Sequence, residues 1–453
     1  MKCGFYEVEI TPPLGTTIFG YFIPRVSDGI DEKLYAKAAV LEQGGVYAAF
    51  LAVDAMCLPE GLTEVVRKRV NEKTGIDENA ILIAATHSHT SGPVYKDGGG
   101  YKGIRLSEQD PVLNVELDNA TIDRTALLAA DAVILAFQRL QPVNVRFGMG
   151  QAEGISFVRE YYLKDGTVRT NPFYCKSEAV KSYSDPDTDL PVFFFTDEEG
   201  KPVGAITSFA LHHDTVGGSQ ISSDYSGLVG KQMKRVFGDQ FVTVFYQGFC
   251  GNINHLDYCA PGEGPAGLTT REISDVLTKE LLYTIAKAEP VQTDEFAVKM
   301  DTVKVKKRVV DQDFLDSVVR NRENPPAPGP ISIEDPYSDI MQYLASNGVI
   351  ARYITDTKTE YDVPVQVIQI GDCMIYSLVG EVFSQFGEKI KAGSPTKKNL
   401  LVSMAHTLET YCYIPIPEMF LPYVYESSIY SAPLETAAGD KMADKALEIA
   451  RSL

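Results

Sequence analysis

Apolar and polar residues along this chain of 453 residues alternate between strand-like and helix-like patterns. Two apolar runs at 34–43 and 46–55 predict strands that are joined by a Gly-Gly turn. The next segment, 61–75, carries apolar residues at helical spacing and has Gly75 at its end, where glycine commonly stops a helix. The apolar run at 80–85 then predicts a short buried strand.

The same patterns recur through the rest of the chain. They predict helices at 121–140, 270–288 and 435–453, and strands at 190–197, 203–213, 243–250, 363–371 and 373–380. The proline-rich run at 324–330 can be neither a helix nor a central strand, so we expect a loop or linker there. Buried strands separated by helices predict an α/β fold with mixed, largely buried β-sheets covered by helices.

Composition and charge narrow the class of protein. Apolar residues make up 44% and charged residues 23% of the chain, which is usual for a globular protein with a large core. The net charge of −19 is spread along the sequence, and it disfavours nucleic acid or an anionic membrane as a partner. No apolar run approaches the roughly 20 residues that span a bilayer, so no stable membrane insertion is expected. The N-terminus lacks the apolar core of a signal peptide, and we therefore expect a cytoplasmic location.

Five of the six histidines lie at or just after the ends of predicted buried strands, in three short clusters. In an extended segment, residues i and i+2 point the same way, so His87 and His89 can face one cleft. One of them could bind a metal while the other handles protons. Each cluster taken alone is equally well explained by a loop, a capped strand end or a tight turn. Their concentration at strand ends favours a metal or catalytic centre.

Any metal ligands would have to be nitrogen or oxygen atoms. The seven cysteines are scattered and form no Cys-x-x-Cys pair, so neither a disulfide framework nor a thiolate zinc site is expected. Glu381 follows the predicted strand at 373–380, and the segment after it is rich in tyrosines. A tyrosine usually packs in the interior, but in a cleft it can also bind a metal or donate its hydroxyl to a developing oxyanion. Gly248 and Gly251, in the third cluster, indicate a close approach of two backbones.

These segments, taken in order, resemble those of the neutral/alkaline ceramidase family, zinc-dependent amidohydrolases that cleave the N-acyl bond of ceramide. The resemblance covers essentially the whole chain. The segments that carry it are EITPPLGTTIFGY, AATHSHTSGP, FVREYYLKDG, FALHHDT with ISSDYSG, LVGEVF and YCYIPIPEMFLPYVYES. The family's spacing between a ligand tyrosine and an active-site tyrosine is kept, here between Tyr413 and Tyr425.

The resemblance implies a function and a role for particular residues. It implies a zinc-dependent hydrolase that cleaves an N-acyl amide, possibly of a lipid, with metal-activated water. The implied Zn²⁺ ligands are His87, His212, Glu381 and Tyr413. His89 would carry the proton from water to the leaving amine, and Tyr425 and Arg159 would stabilise the oxyanion or position the substrate. Asp54 and Asp224 are only candidates for groups that orient the ligands.

Two departures from the family pattern affect these expectations. Asn252 and Asn254 stand where true ceramidases have Asp and Ser, so a serine nucleophile is absent there, although water can serve instead. The chain also ends soon after Tyr425, and we expect residues 1–453 to form one catalytic domain without the immunoglobulin-like domain of the larger ceramidases. Two alternatives stay open: the same centre acting on a non-lipid amide or ester, and a metal-stabilised binding protein without turnover.

Overall fold

The computed structural model describes the chain except residues 22, 24, 102–110, 174, 325–342, 344, 347 and 409–411, and the side chains of residues 100 and 101. Three β-sheets form its centre. In the first sheet the strands follow the spatial order Ile81–Ala85, Val46–Val53, Tyr35–Gln43, Lys2–Glu9 and Gln141–Pro142. The edge strand Ile81–Ala85 is parallel to its neighbour, and the other pairs are antiparallel.

The second and third sheets also mix parallel and antiparallel pairs. The second has the order Val242–Gln247, Pro202–Phe209, Asp189–Thr196, Asn144–Gln151 and Glu289–Pro290. The third has the order Phe296–Lys306, Glu360–Ile370, Cys373–Leu378 and Lys398–Val402. Each of these two sheets contains one parallel pair, at the Val242–Gln247 edge and at the Lys398–Val402 edge.

Short ladders and helices make up the rest of the described secondary structure. The ladders pair Thr17–Ile18 with Arg25–Val26, Gly29–Ile30 with Gln220–Ile221, Phe157–Val158 with Ile253–Asn254, Glu160–Leu163 with Val168–Thr170 and Ala179–Ser182, Leu256–Asp257 with Ala266–Gly267, and Glu381–Val382 with Tyr413–Ile414. The α-helices are Leu62–Thr74, Val115–Gln138, Asp224–Phe237, Thr270–Lys287, Gln312–Glu323, Ser384–Gly393 and Ala438–Ser452. Short helical turns lie at Glu78–Ala80, Lys96–Tyr101, Lys176–Glu178, Ile350–Thr355, Pro417–Met419 and Tyr425–Ser427.

The three sheets share one core. Phe50 of the first sheet, Phe195 of the second and Ile375 of the third are fully buried in the same apolar cluster. Successive side chains of a strand point to opposite faces, so every sheet has a second face to cover. Two helices cover that face in each case: Leu62–Thr74 with Val115–Gln138, Asp224–Phe237 with Thr270–Lys287, and Ser384–Gly393 with Ala438–Ser452.

A short segment that follows the strand Lys398–Val402 connects the three sheets. The Ser403 N–H donates to the carbonyl of Gln247 in the second sheet, at 2.9 Å. The N–H groups of Ala405 and His406 donate to Leu378 in the third sheet and Ile83 in the first, at 3.1 and 2.7 Å. These hydrogen bonds bring the carboxyl ends of strands from all three sheets to one place.

The predicted fold class is confirmed, and each predicted strand and helix in the described residues is present. The second predicted helix begins earlier, at Val115, because the Asn114 side chain caps it by accepting from the Leu117 N–H. The strand predicted to reach residue 213 ends at Phe209, so His212 lies in the loop that follows. Most of the proline-rich run at 324–330 lies outside the described residues.

The sequence patterns did not predict some of the strands and helices. The central strand Lys2–Glu9, the strand Phe296–Lys306 and the helices Asp224–Phe237, Gln312–Glu323 and Ser384–Gly393 were not predicted. Phe296–Lys306 is an edge strand with many exposed lysine and aspartate side chains. Because of these charged residues, the alternation of apolar and polar positions that is typical of a strand is hard to recognise in its sequence. Among the described residues, no helix has both the length and the apolar character of a membrane span. The cytoplasmic location and the single catalytic domain over 1–453 stay predictions.

Candidate metal centre and active site

The predicted site lies where the carboxyl ends of three strands, one from each sheet, are close together. His87 follows an edge strand of the first sheet, His212 follows a strand of the second, and Glu381 follows a strand of the third. All three residues are buried, with at most 2% of their surface exposed. Their mutual position therefore depends on how the sheets pack on their common core.

The two histidines of the first cluster meet, but not through an extended backbone. His87 has a φ of 72°, in the left-handed region that residues other than glycine rarely adopt. Its N–H donates to the Ala55 carbonyl at 2.8 Å, which holds this turn in place. The rings of His87 and His89 pack edge to face with centroids 4.7 Å apart, and their Nε2 atoms are 3.2 Å apart. Such a backbone outlier is common at functional sites, where the surrounding structure maintains it.

Backbone carbonyls fix the tautomers of His87 and His212. The Nδ1 of His87 donates to the carbonyl of Met56 at 2.7 Å. The Nδ1 of His212 donates to the carbonyls of Cys250 and Ile253, at 2.9 and 3.0 Å. A neutral imidazole that carries its proton on Nδ1 has a lone pair on Nε2. Both Nε2 lone pairs are thus available at the centre, as in histidines that bind metals.

Glu381 faces both of these nitrogens. Its Oε2 lies 2.8 Å from His212 Nε2 and 3.3 Å from His87 Nε2. Two lone pairs and a carboxylate repel one another unless a cation, either a proton or a metal ion, lies between them. Burial lowers the pKa of His87, but the Glu381 carboxylate outweighs it and the net shift is upward. Burial raises the pKa of Glu381, yet His87 and His212 move it well below its usual range.

The donor atoms fit a metal ion with nitrogen and oxygen ligands. One ligand atom from each of His87, His89 and His212 can be chosen so that all three lie within 4.8 Å of one another. The buried Nε2 of His212 faces the Glu381 carboxylate at 2.8 Å, so a cation could lie between the two groups. Two or three imidazoles with a carboxylate are typical ligands of Zn²⁺. His89 lies as close as a ligand would, so distance alone does not separate the two predicted roles of the first pair.

The predicted tyrosines lie beside this centre. Tyr413 is the register partner of Glu381 in the short parallel ladder, and its ring is stacked at 11° to the His212 ring with centroids 6.5 Å apart. Tyr425 packs edge to face on Tyr413 at 5.6 Å. Burial raises the pKa of Tyr425 to about 12, so its hydroxyl keeps its proton at neutral pH. Tyr411, another tyrosine of this segment, lies outside the described residues.

Arg159 is held against Tyr413 by a buried ion pair. Its guanidinium carbon is 5.3 Å from the centroid of the Tyr413 ring, and its Nε lies 2.5 Å from Glu426 Oε1. It also donates to the Gly251 carbonyl at 2.6 Å. Glu426 accepts a further hydrogen bond from the Thr170 hydroxyl at 2.5 Å. The sequence contained Glu426 next to Tyr425, but its part in holding Arg159 was not predicted.

The carboxylates expected behind the ligands have other partners. Asp54 pairs with Lys37 at 3.3 Å, and Asp224 accepts from the N–H and hydroxyl of Thr215. The groups that accept from the ligand Nδ1 atoms are backbone carbonyls instead, so this part of the expectation was wrong. A carbonyl contact of this kind leaves no signal in the residue types of a sequence.

The carboxylate that lies near His89 is Asp214, two residues after His212 in the chain. Its Oδ1 is 3.9 Å from His89 Nδ1, and it accepts a hydrogen bond from the Tyr21 hydroxyl. Arg25 donates to the His89 carbonyl at 2.6 Å and so holds the same loop. Tyr21 and Arg25 come from the N-terminal segment, far from His89 along the chain, and sequence spacing gave no indication of this contact.

The two asparagines that replace the family's Asp and Ser support the loops around the site. Asn252 Oδ1 accepts from the Ser384 N–H at 2.8 Å, which connects its loop to the helix after Glu381. Asn254 Nδ2 donates to the Asn171 side chain at 2.7 Å. Gly251 lies so close to Glu381 that a Cβ added there would be 2.3 Å from the Glu381 carbonyl oxygen. This close approach confirms the expectation for the glycines of the third cluster.

The fold and the centre together define an α/β protein with a buried histidine–carboxylate site that could hold a metal ion. A family model described as "Neutral/alkaline non-lysosomal ceramidase, N-terminal" matches residues 2–258 of this chain, more than half of its length. The chain belongs to that family, as the sequence motifs indicated.

Similar proteins agree with this assignment. A neutral ceramidase of Pseudomonas aeruginosa is 24% identical over 277 residues, which cover 58% of this chain and 38% of that protein. A neutral ceramidase of Drosophila pseudoobscura pseudoobscura is 23% identical over 271 residues, covering 56% of this chain and 36% of that protein. The chain therefore matches less than two-fifths of the length of these curated relatives.

The fold also matches solved structures. The crystal structure of the Pseudomonas aeruginosa neutral ceramidase matches with a TM-score of 0.68 and 20% identity, covering all of this chain and 75% of the other. A structure described as "Ceramidase complexed with C2" matches with a TM-score of 0.66 and 18% identity, with the same coverage. At this level of identity the match shows a common fold.

Proposed function

We propose that this protein is a metal-dependent hydrolase that cleaves the N-acyl amide bond of a ceramide-like substrate. The observation that carries the proposal is the convergence of the His87 and His212 Nε2 lone pairs on Glu381, with each Nδ1 bonded to a carbonyl. Membership of the ceramidase family and the relatives named neutral ceramidase support the reaction class.

His87, His212, Glu381 and Tyr413 would hold a Zn²⁺ ion. When bound, such an ion supplies Lewis acidity and brings the pKa of water toward neutrality. The protein contributes a dry, rigid setting, since the four side chains are buried. His87, His212 and Glu381 follow strands of three different sheets, and Tyr413 is paired with Glu381 in the short ladder. Tyr413 enters the set because its backbone is in register with that of Glu381.

His89 is the proposed proton carrier. Burial, His87 and His212 lower its pKa well below the usual value, so it is neutral at pH 7 and can accept a proton. We assign it the transfer of a proton from the attacking water to the nitrogen of the leaving amine. Its ring is close enough to His87 to share the site, and its loop is held by Arg25.

Tyr425 and Arg159 are the proposed groups that stabilise charge on the substrate. Tyr425 keeps its hydroxyl proton and can donate it as a hydrogen bond to the carbonyl oxygen as negative charge develops. The Arg159 guanidinium, beside Tyr413, adds a permanent positive charge near the same region. Neither role requires a serine at the position of Asn254, because water is the nucleophile.

The first test is metal content together with turnover. We expect the purified protein to bind about one equivalent of zinc and to hydrolyse N-acyl amides, and we expect His87→Ala to lose both. His255→Gln is the matched control, because His255 is half-buried outside the centre and should leave zinc and rate unchanged. Zinc would be measured by mass spectrometry, and hydrolysis by release of the free amine from ceramide and from short N-acyl amides.

The outcomes separate the parts of the proposal. A wild-type protein without bound zinc would contradict the metal centre. A zinc-loaded protein that cleaves no amide or ester would leave only a metal-binding protein. Cleavage of short N-acyl amides but not of ceramide would keep the reaction and reject the lipid substrate. A cytoplasmic location is a separate part of the proposal, to be tested by cell fractionation.

A further inference from the structure

A cavity lies against the helix Leu62–Thr74, and none of the residues that line it belongs to the histidine centre. Its volume is about 580 Å³. Arg67, Met300 and His406 line it, and exposed carboxylates of the helix and of the following turn surround its opening. The proposed hydrolysis uses none of these residues.

Arg67 is a buried cation without a buried anion. Only 9% of this residue is exposed. Its guanidinium donates to the Glu78 carbonyl, to His406 Nδ1 at 3.1 Å and, weakly, to the Met300 sulfur at 3.7 Å. All three acceptors are uncharged, and Arg67 forms no ion pair within the part of the chain that the structure describes. A guanidinium has five N–H donors, so further donors are available to a ligand in the cavity.

His406 does not supply the missing charge. Its Nδ1 accepts from Arg67, so its proton is on Nε2, which donates to the Ser377 hydroxyl at 3.1 Å. Ser377 donates in turn to the Gln366 carbonyl at 3.2 Å. Burial and Arg67 lower the pKa of His406 to about 3, so the ring is neutral. The positive charge at the inner wall of the cavity therefore belongs to Arg67 alone.

The opening of the cavity has the opposite charge. Glu64, Glu72 and Glu78 line it, together with one cation, Lys68, and all four side chains belong to exposed residues. A multiply charged anion such as phosphate would be repelled by three carboxylates on its way in. A ligand with a carboxylate at one end and an ammonium group at the other matches both the inner cation and the outer anions.

We propose that this cavity binds a small zwitterionic amino carboxylate. The carboxylate is held by the free N–H groups of Arg67, and the ammonium group lies among Glu64, Glu72 and Glu78. The site is independent of the proposed hydrolysis, since it shares no residue with the histidine centre.

The experiment is isothermal titration calorimetry of the full chain with three amino carboxylates of increasing length: glycine, γ-aminobutyrate and ε-aminocaproate. Acetate, butyrate and caproate are the matched probes without the ammonium group. We expect at least one amino carboxylate to bind and its parent carboxylate to bind at least about tenfold more weakly. Arg67→Gln should weaken the binding roughly ten- to a hundredfold. Arg69→Gln is the matched control on the same helix, since Arg69 is paired with Asp131 and should leave the affinity unchanged.

A variant at the opening of the cavity keeps the test valid if Arg67→Gln does not fold. Glu72→Gln changes an exposed side chain, so it should fold normally and weaken the amino carboxylate but not the parent carboxylate. The proposal is overturned if no amino carboxylate binds, if Arg67→Gln folds and binds as well as the wild type, or if amino and parent carboxylates bind equally. None of these outcomes depends on zinc or on amide hydrolysis.

Discussion

At the scale of single residues, the ion pair between Arg159 and Glu426 links stability to the site. Its side chains expose only 8% and 0% of their surface. Removing one partner of a buried pair leaves an unpaired charge, which costs about 3–5 kcal/mol. We expect Glu426→Gln to lower the free energy of unfolding by about 3 kcal/mol and to slow amide hydrolysis, because Arg159 is no longer held at Tyr413. Urea denaturation and steady-state kinetics would measure the two effects.

The control for this prediction is Asp131→Asn, which breaks a more exposed pair. The side chains of Arg69 and Asp131 expose 37% and 36% of their surface, and such pairs contribute about 1 kcal/mol or less. Equal losses in the two variants would contradict the argument from burial.

A second residue-scale prediction concerns Glu160, the buried neighbour of this pair. Burial and the Glu426 carboxylate raise its pKa well above the ordinary 4.5, and its Oε1 has no hydrogen-bond partner among the described residues. Well below pH 4.5 the carboxyl group is protonated in both the folded and the unfolded state, so it does not lower the free energy of unfolding. As the pH rises above that value, the unfolded chain ionises more readily than the folded one, and stability falls. Glu160→Gln should therefore match the wild type near pH 4 and exceed its free energy of unfolding by about 1 kcal/mol near pH 8.

Glu272 provides a control of opposite sign. Hydrogen bonds from the Thr269 backbone and side chain lower the pKa of Glu272, so its carboxylate stabilises the protein above pH 4.5 and loses this effect as the pH falls. Glu272→Gln should be less stable than the wild type at neutral pH and equal to it in acid. Urea denaturation over the same pH range would show the two differences moving in opposite directions, and parallel curves would contradict both assignments.

At the scale of elements, Gly251 sets the distance between the third histidine cluster and the Glu381 ladder. Its N–H donates to the Val382 carbonyl at 2.8 Å, and an added Cβ would lie 2.3 Å from the Glu381 oxygen. Backbone atoms cannot move away as a flexible side chain can. We expect Gly251→Ala to shift Glu381 and lower bound zinc at least about tenfold, the range seen when the groups that orient ligands are lost.

The control for Gly251→Ala is Gly230→Ala in the helix Asp224–Phe237. Among the described residues, no atom beyond the adjoining residues and the helix's own backbone lies within 4 Å of a Cβ added at Gly230, and alanine favours a helix by about 1 kcal/mol. This variant should keep its zinc and gain slightly in stability. Competition with a chelator would measure zinc affinity in both proteins. Unchanged affinity in Gly251→Ala would show that the ladder can adapt.

Most elements could be predicted because their signal is local. The helix Leu62–Thr74 ends where Gly75 adopts a φ of 76° and donates to the Asn71 carbonyl, and glycine is the residue that such an end requires. The helix Thr270–Lys287 begins with a capping box between Thr269 and Glu272. The helix Asp224–Phe237 was not predicted because it contains Gly227 and Gly230, and glycine disfavours the interior of a helix.

At the scale of the whole molecule, the helix Ala438–Ser452 packs in the core of the third sheet and supplies none of the residues proposed for the centre. Leu447 is 6% exposed and packs on Gly393 of the neighbouring helix. We expect Leu447→Ala to lower the free energy of unfolding by about 2–4 kcal/mol through the cavity it leaves, while zinc per folded molecule stays unchanged. Glu448→Ala, at a side chain that is 71% exposed, should change stability by less than about 0.5 kcal/mol. Loss of zinc in folded Leu447→Ala would show that the outer core also positions the ligands.

The sequence by itself determined the residue types of the centre, their order and most strands and helices. The hydrophobic period, the turn residues and the family motifs depend on positions that are close in the chain, so they can be recognised in the amino-acid sequence. Only the tertiary structure decided which atoms meet: the left-handed turn at His87, the carbonyls that fix the imidazole tautomers, and the contact of Glu426 with Arg159. Most of these contacts lie in loops between strands, and the positions of the loops depend on how the three sheets pack on one shared core.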